Sequence, residues 1–171
     1  MRKRKNTLPS PKPYALKLSG HAVQGWQAQY IRQQRWLARF LGAQTKEDKL
    51  DFVITYFQNA YHLRDWLRIL HGDMPAKLDG FFAKNIELRL CQDICHMTKH
   101  VILTAPAVDK DSTPSIIRVY GRVDGWYGVN AGLSVRTPNI EYDLKDLALR
   151  CSALWSEFVA TQELTEDVRK S

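Results

Sequence analysis

Four side chains able to do acid–base and phosphate chemistry share one face of the segment 86 to 102, IELRLCQDICHMTKHVI. Arg89, Asp93, His96 and His100 recur at i, i+4, i+7 and i+11. At about 100° per residue they fall within a wedge roughly 60° wide on one helix. An imidazole can exchange a proton near neutral pH, and a guanidinium offers a planar fork of donors to an anion. Ile86, Leu90, Ile94, Met97 and Val101 form an apolar stripe on the same segment. The polar wedge therefore reads in two ways, as a functional site or as a buried polar seam where this helix meets another. A second cluster, Asn59-Ala60-Tyr61-His62-Leu63-Arg64-Asp65-Trp66, puts His62 and Asp65 three apart, as neighbours on a helix. A carboxylate there can orient the ring and raise its pKa. The pair joins the first cluster only if packing brings the two helices together.

Metal chemistry is not expected. Cys91 and Cys95 lie one turn apart, as do His96 and His100, but the two pairs point in different directions. No CxxC or HExxH occurs, and no cofactor is implied.

The elements that must hold these groups are mostly helical. Pro9, Pro11 and Pro13 mark residues 1–19 as a basic flexible arm. A first helix is predicted over about 21–41, ending near Gly42. A second starts at Thr45 as N-cap, with Asp48 in the capping-box position, and runs to about Leu70. Its stripe is Val53, Tyr56, Phe57, Ala60, Leu63, Leu67 and Leu70. Asp79-Gly80 precedes a third helix, the one carrying the wedge. Ile116 to Tyr120 and Leu133 to Arg136 alternate and flank several glycines, which predicts a β-hairpin region over about 116–136. Asp143 caps a last helix with Leu147, Leu154, Trp155, Phe158 and Val159 inward. The prediction is a mainly α protein: one four-helix bundle over 20–165, a small hairpin inserted before the last helix, and a tail at 166–171.

The 171 residues, 44% hydrophobic, suit one domain with a real core. Three cysteines, no apolar run after the Met-Arg-Lys-Arg-Lys start and no membrane-length segment lead us to expect reduced thiols, a cytoplasmic location and no membrane partner. Charge is lopsided. Of the 25 Lys and Arg, ten fall in residues 1–46 (Arg2, Lys3, Arg4, Lys5, Lys12, Lys17, Arg32, Arg35, Arg39 and Lys46), and none of the 18 acids does. The remaining 125 residues thus hold 15 basic against 18 acidic side chains, a net of −3. Such asymmetry points to RNA or another polyanion as partner. The plainer reading is a solubilising arm, or a basic helix docked on the chain's own acidic remainder. Trp26, Tyr30, Trp36 and Phe40 read as core rather than as base-stacking platforms.

The fragments AYHLRDW, LRLCQDICHMTKHVIL and ALWSEF together resemble a group of small bacterial helical proteins that we relate to the HEPN superfamily. The resemblance covers about 48–104 and, loosely, the last helix. HEPN ribonucleases carry Arg, four to six residues, then His on one helix, often with a polar residue directly after the Arg. Arg89 and His96 enclose six residues, while Leu90 stands where the polar residue is usual. The resemblance implies metal-independent endoribonuclease chemistry, in which the 2′-OH attacks the adjacent phosphorus and leaves a cyclic phosphate and a 5′-OH. His96 or His100 would carry the proton and Arg89 would brace the phosphorane. Asp93 or Asp65 would orient the imidazole, His62 would support it, and Lys99 would face the phosphates. It also implies two such helices paired across a homodimer, and a toxin or phage-defence setting with an antitoxin or other protein partner. Leu90 favours the alternative, a non-catalytic HEPN-like scaffold that binds nucleic acid or protein, in an immunity or antitoxin role included.

Overall fold

Thr45 opens the longest helix as its sequence context demands. Its Oγ1 accepts from the Asp48 amide at 3.0 Å, satisfying one of the amides a helix start leaves unpaired. The computed structural model describes residues 25–70, 72–99, 106–108, 114–123, 126–162 and 164. Their order is α1 (Trp26–Gly42), α2 (Lys46–Arg68), α3 (Met74–Lys84), α4 (Ile86–Met97), β1 (Ser115–Val123), β2 (Trp126–Arg136), β3 (Glu141–Asp143) and α5 (Leu144–Thr161). The expected arm, 1–19, and tail, 166–171, lie outside the described residues.

α2 is the centre. Val53, Tyr56, Phe57, Ala60, Leu63 and Leu67 are fully buried along its length, and it packs against all four other helices. The Tyr56 hydroxyl donates to the Ala148 carbonyl at 2.9 Å, which ties α5 to it from inside the core. Phe81 and Phe82 of α3 close the far side against Trp155 and Phe158 of α5, with ring centroids 4.7 to 5.8 Å apart. Aromatic pairs in tilted and edge-on contact at such distances add to the area they bury.

The fold is mainly helical with a small sheet, but α3 departs from the expectation of four helices. Asp79-Gly80 does not precede a helix; both residues lie inside one. Two interactions keep it helical. Arg64 and Arg68 of α2 hold the Asp79 carboxylate at 2.7 and 2.8 Å, and the break falls instead at Asn85, which is extended and donates its side-chain amide to the Phe81 carbonyl at 2.8 Å. A mid-helix glycine costs only about 1 kcal/mol against alanine, so tertiary contacts override it.

The predicted hairpin region is a hairpin, β1 and β2 pairing antiparallel from Ser115↔Arg136 to Val123↔Trp126 with two register shifts. β3 adds a short third strand on β2. Gly132 has φ +150°, and a Cβ there would stand 3.0 Å from Asp143 Oδ2, so glycine lets β2 pass the start of α5. Asp143 caps α5 as expected, accepting from the Lys145 and Asp146 amides at 2.8 and 3.1 Å. Among the described residues no helix is long and apolar enough to cross a membrane.

Among the described residues, two fully buried side chains break the rule that buried polar groups are paired: Trp155, through its indole Nε1, and Gln33. Gln33 of α1 is fully buried, and neither polar atom of its side chain has a partner among the described residues. Leaving such a group unbonded costs about 1–3 kcal/mol. Gln33→Met keeps the shape and removes the polar atoms, so the urea midpoint is expected to rise; an unchanged or lower midpoint would mean that Gln33 is paired in solution.

Candidate functional site

Asn85 starts α4 directly after α3, and this sets which sides of α4 are covered. Leu88, Leu90, Cys91, Ile94 and Cys95 are all fully buried. The covered surface is thus wider than the single stripe read from the sequence, in which Ile86 and Met97 prove half-buried. The cysteines behave as small core residues. Cys91 Sγ donates to the Phe57 carbonyl at 3.4 Å, and burial pushes its thiol pKa well up. All three cysteines are free and buried.

The polar wedge is partly enclosed as well. Asp93 has no exposure, and its carboxylate accepts the amides of Ala107 and Val108 at 2.7 and 3.1 Å. Burial raises its pKa. Those two hydrogen bonds, and then the charges of His96 and Arg89, act in the opposite direction. Each carboxylate oxygen therefore accepts from a loop's backbone. Arg89, one turn earlier, is half-buried. Its Nε is enclosed without a hydrogen-bond partner, and no ion pair involves it among the described residues. His96 is half-buried with its ring edge-on to Tyr61, centroids 5.2 Å apart at 89°. His100 lies outside the described residues.

Packing of α2 on α4 brings the second cluster to the first. His62 Nε2 stands 3.8 Å from Cys95 Sγ. Burial, then the Lys99 charge, lowers the His62 pKa; Asp65 opposes them without prevailing, and His96 lowers it further. The sequence expectation that Asp65 would raise this imidazole is thus reversed, because Asp65 is exposed while the ring is half-buried. Burial also raises the Cys95 thiol. An activated cysteine–histidine pair needs a thiol pulled down by a protonated imidazole. Here the shifts run the other way, and both groups sit neutral at pH 7. Among the described residues no group of three His, Cys, Asp or Glu side chains could hold a metal ion.

The exposed cations of α1 form a different kind of arrangement. Arg32, Arg35 and Arg39 share one edge of the helix, all exposed, and α1 contains no acid. No ion pair involves them among the described residues. Two are held from beneath. Arg32 donates to Gln29 Oε1 at 2.7 Å, and Gln29 in turn donates to the carbonyl and side-chain oxygens of Asn59 on α2 at 2.8 and 3.1 Å. The Arg39 guanidinium lies 4.5 Å over the Trp36 ring, which packs on Phe52 at 5.8 Å. Elsewhere Arg64, Arg68, Arg136 and Arg150 all carry carboxylate partners. The charge pattern foretold the α1 arginines; the supports under them join residues too far apart in sequence to be read there. Arg2, Lys3, Arg4, Lys5, Lys12 and Lys17 lie outside the described residues.

Two stability effects follow from this geometry. Asp93→Ala leaves the amides of Ala107 and Val108 without their acceptor, at an expected cost of about 1–3 kcal/mol by urea denaturation; a neutral substitution would show that the loop does not depend on the carboxylate. His62 is lowered in the folded state from the usual imidazole value of about 6.5. As pH falls below that value the unfolded chain takes up the proton first, so this group's contribution to stability declines on acidification until the folded value is passed. Thermal melts between neutral and mildly acidic pH should show the decline, and His62→Gln should flatten it.

Compared with known proteins, the chain matches no family model, no curated protein and no solved structure.

Proposed function

We propose that this protein is a non-catalytic, HEPN-like helical scaffold that binds nucleic acid, RNA foremost, along the arginine edge of α1. The observation that carries the reading is a row of three exposed arginines with no ion pair among the described residues, two of them pre-positioned by neighbouring side chains. Unpaired cations fixed in place are what a phosphate backbone requires, since ordering them beforehand lowers the entropic cost of binding. Seven residues at a rise of 1.5 Å span about 10 Å, room for about three phosphates at roughly 3.4 Å of axial rise per strand. Arg2, Lys3, Arg4, Lys5, Lys12 and Lys17 add six further positive charges to the chain's first quarter. The HEPN-like part of the proposal rests on the resemblance over 48–104 and on the mainly helical fold. An acidic protein, such as a cognate toxin or antitoxin, is the competing partner for this edge.

Metal-independent RNA cleavage by a homodimer remains a second reading, favoured by one observation. No ion pair involves the Arg89 guanidinium among the described residues, and His96 follows two turns later on the same side of α4. Two features support the scaffold instead. Leu90, where the ribonuclease pattern carries a polar residue, is fully buried in the core, and Asp93 is engaged with the loop at 107–108.

Fluorescence anisotropy with a single-stranded RNA, repeated over a range of salt, tests the proposal. Each lost phosphate contact on a single strand should flatten the slope of log affinity against log salt by about 0.7. Replacing Arg32, Arg35 and Arg39 together by Gln should therefore flatten it by about 2; an unchanged slope would exclude the edge. Incubating the same RNA with protein in EDTA should yield no cleavage. Cyclic-phosphate products that disappear in both Arg89→Ala and His96→Ala would replace the scaffold with the enzyme.

A further inference from the structure

The end of α1, the start of α2, β2 and the start of α5 form a cleft of about 210 Å³ that none of the α1 arginines lines. Phe40 and Leu133, both buried, supply an apolar floor, and Lys46, Lys49 and Lys145 stand around it. The three lysines are exposed, and the ammonium group of none is in an ion pair among the described residues. Asp143 is the single carboxylate in the lining, and its Oδ1 is occupied by the two amides that it caps. The lining therefore carries three cations against one anion. Cations gathered on one concave surface repel one another, and the low-dielectric wall beneath strengthens both that repulsion and the attraction for an anion. The helix starts at the rim are not the attractant, because Thr45 and Asp143 already cap them.

Size and lining narrow the ligand. The cleft holds the liquid volume of about seven waters at roughly 30 Å³ each, below the range of about 300–1,000 Å³ that takes drug-sized molecules. A compact ligand fills such a cleft better than a polymer or dinucleotide, and a bare inorganic ion would leave the apolar floor uncovered. We infer that this cleft binds a small organic phosphate ester, with its phosphate among Lys46, Lys49 and Lys145 and its apolar body on Phe40 and Leu133. The site draws on none of the α1 arginines, so it stands or falls separately from the nucleic-acid reading.

Isothermal titration of the full chain with phenyl phosphate, and separately with inorganic phosphate, tests the inference. Phenyl phosphate should bind saturably and about tenfold more tightly than inorganic phosphate, a difference assigned to the floor. The double variant Lys49→Gln/Lys145→Gln changes only exposed side chains; its thermal melt should match the wild type, and its affinity for phenyl phosphate should fall about tenfold or more. Arg32→Gln/Arg35→Gln should leave that affinity unchanged. The inference is overturned by the absence of saturable binding, by equal affinity for the two probes, or by unchanged binding in the double lysine variant.

Discussion

The burial of α2 is the constraint on which the other elements depend. A helix whose apolar face is fully enclosed must be covered from several directions, and α1, α3, α4 and α5 each supply part of the cover. Apolar burial drives that assembly but does not by itself fix its register. The register comes from polar bonds made inside or at the edge of the core. Tyr56 reaches the Ala148 carbonyl of α5, the Phe57 carbonyl receives Cys91 of α4, and Asn59 receives Gln29 of α1. On the α3 side, Arg64 and Arg68 grip Asp79. Each bond is modest in net terms but costly to leave unmade where its groups have left water, so sliding α1, α4 or α5 on α2 by one residue would strand a buried polar atom.

That arrangement decides which charged residues remain available for function. The groups of α4 that look most chemical in isolation are largely engaged. Asp93 holds a loop, His96 packs on Tyr61, and His62 and Cys95 form a neutral pair under α2. The α1 arginines are the reverse case, because their supports aim them outward without neutralising them. Arg64 shows the contrast: its guanidinium is bonded to Asp79 and Tyr61 and stacked 4.8 Å over Phe82, so it acts as a structural clamp. A cation's meaning in this protein thus depends on whether a carboxylate lies within reach.

The features legible in the sequence were those with local causes. Thr45 and Asp143 marked helix starts because a cap acts within three residues. The stripe of α2 and the glycine-flanked strands of the hairpin declared themselves by period, and the charge imbalance singled out Arg32, Arg35 and Arg39. What escaped has non-local causes. Asp79-Gly80 reads as a turn until Arg64 and Arg68 are placed beside it. Asp93 reads as part of an open wedge until residues 107 and 108 close over it. Cys91 and Cys95 suggest chemistry by type, although their burial makes them packing residues. The lysine cleft joins positions about a hundred residues apart, and no spacing rule within one element could have assembled it.

The claim that joins these observations is that the protein presents α1, not α4, to nucleic acid. Backbone amide shifts of the isotope-labelled chain, followed by NMR during titration with a short single-stranded RNA, test it most directly. The account predicts shifts concentrated at residues 32 to 39, with Arg89 and His96 unmoved. Shifts centred on Arg89 and His96, with α1 silent, would contradict it.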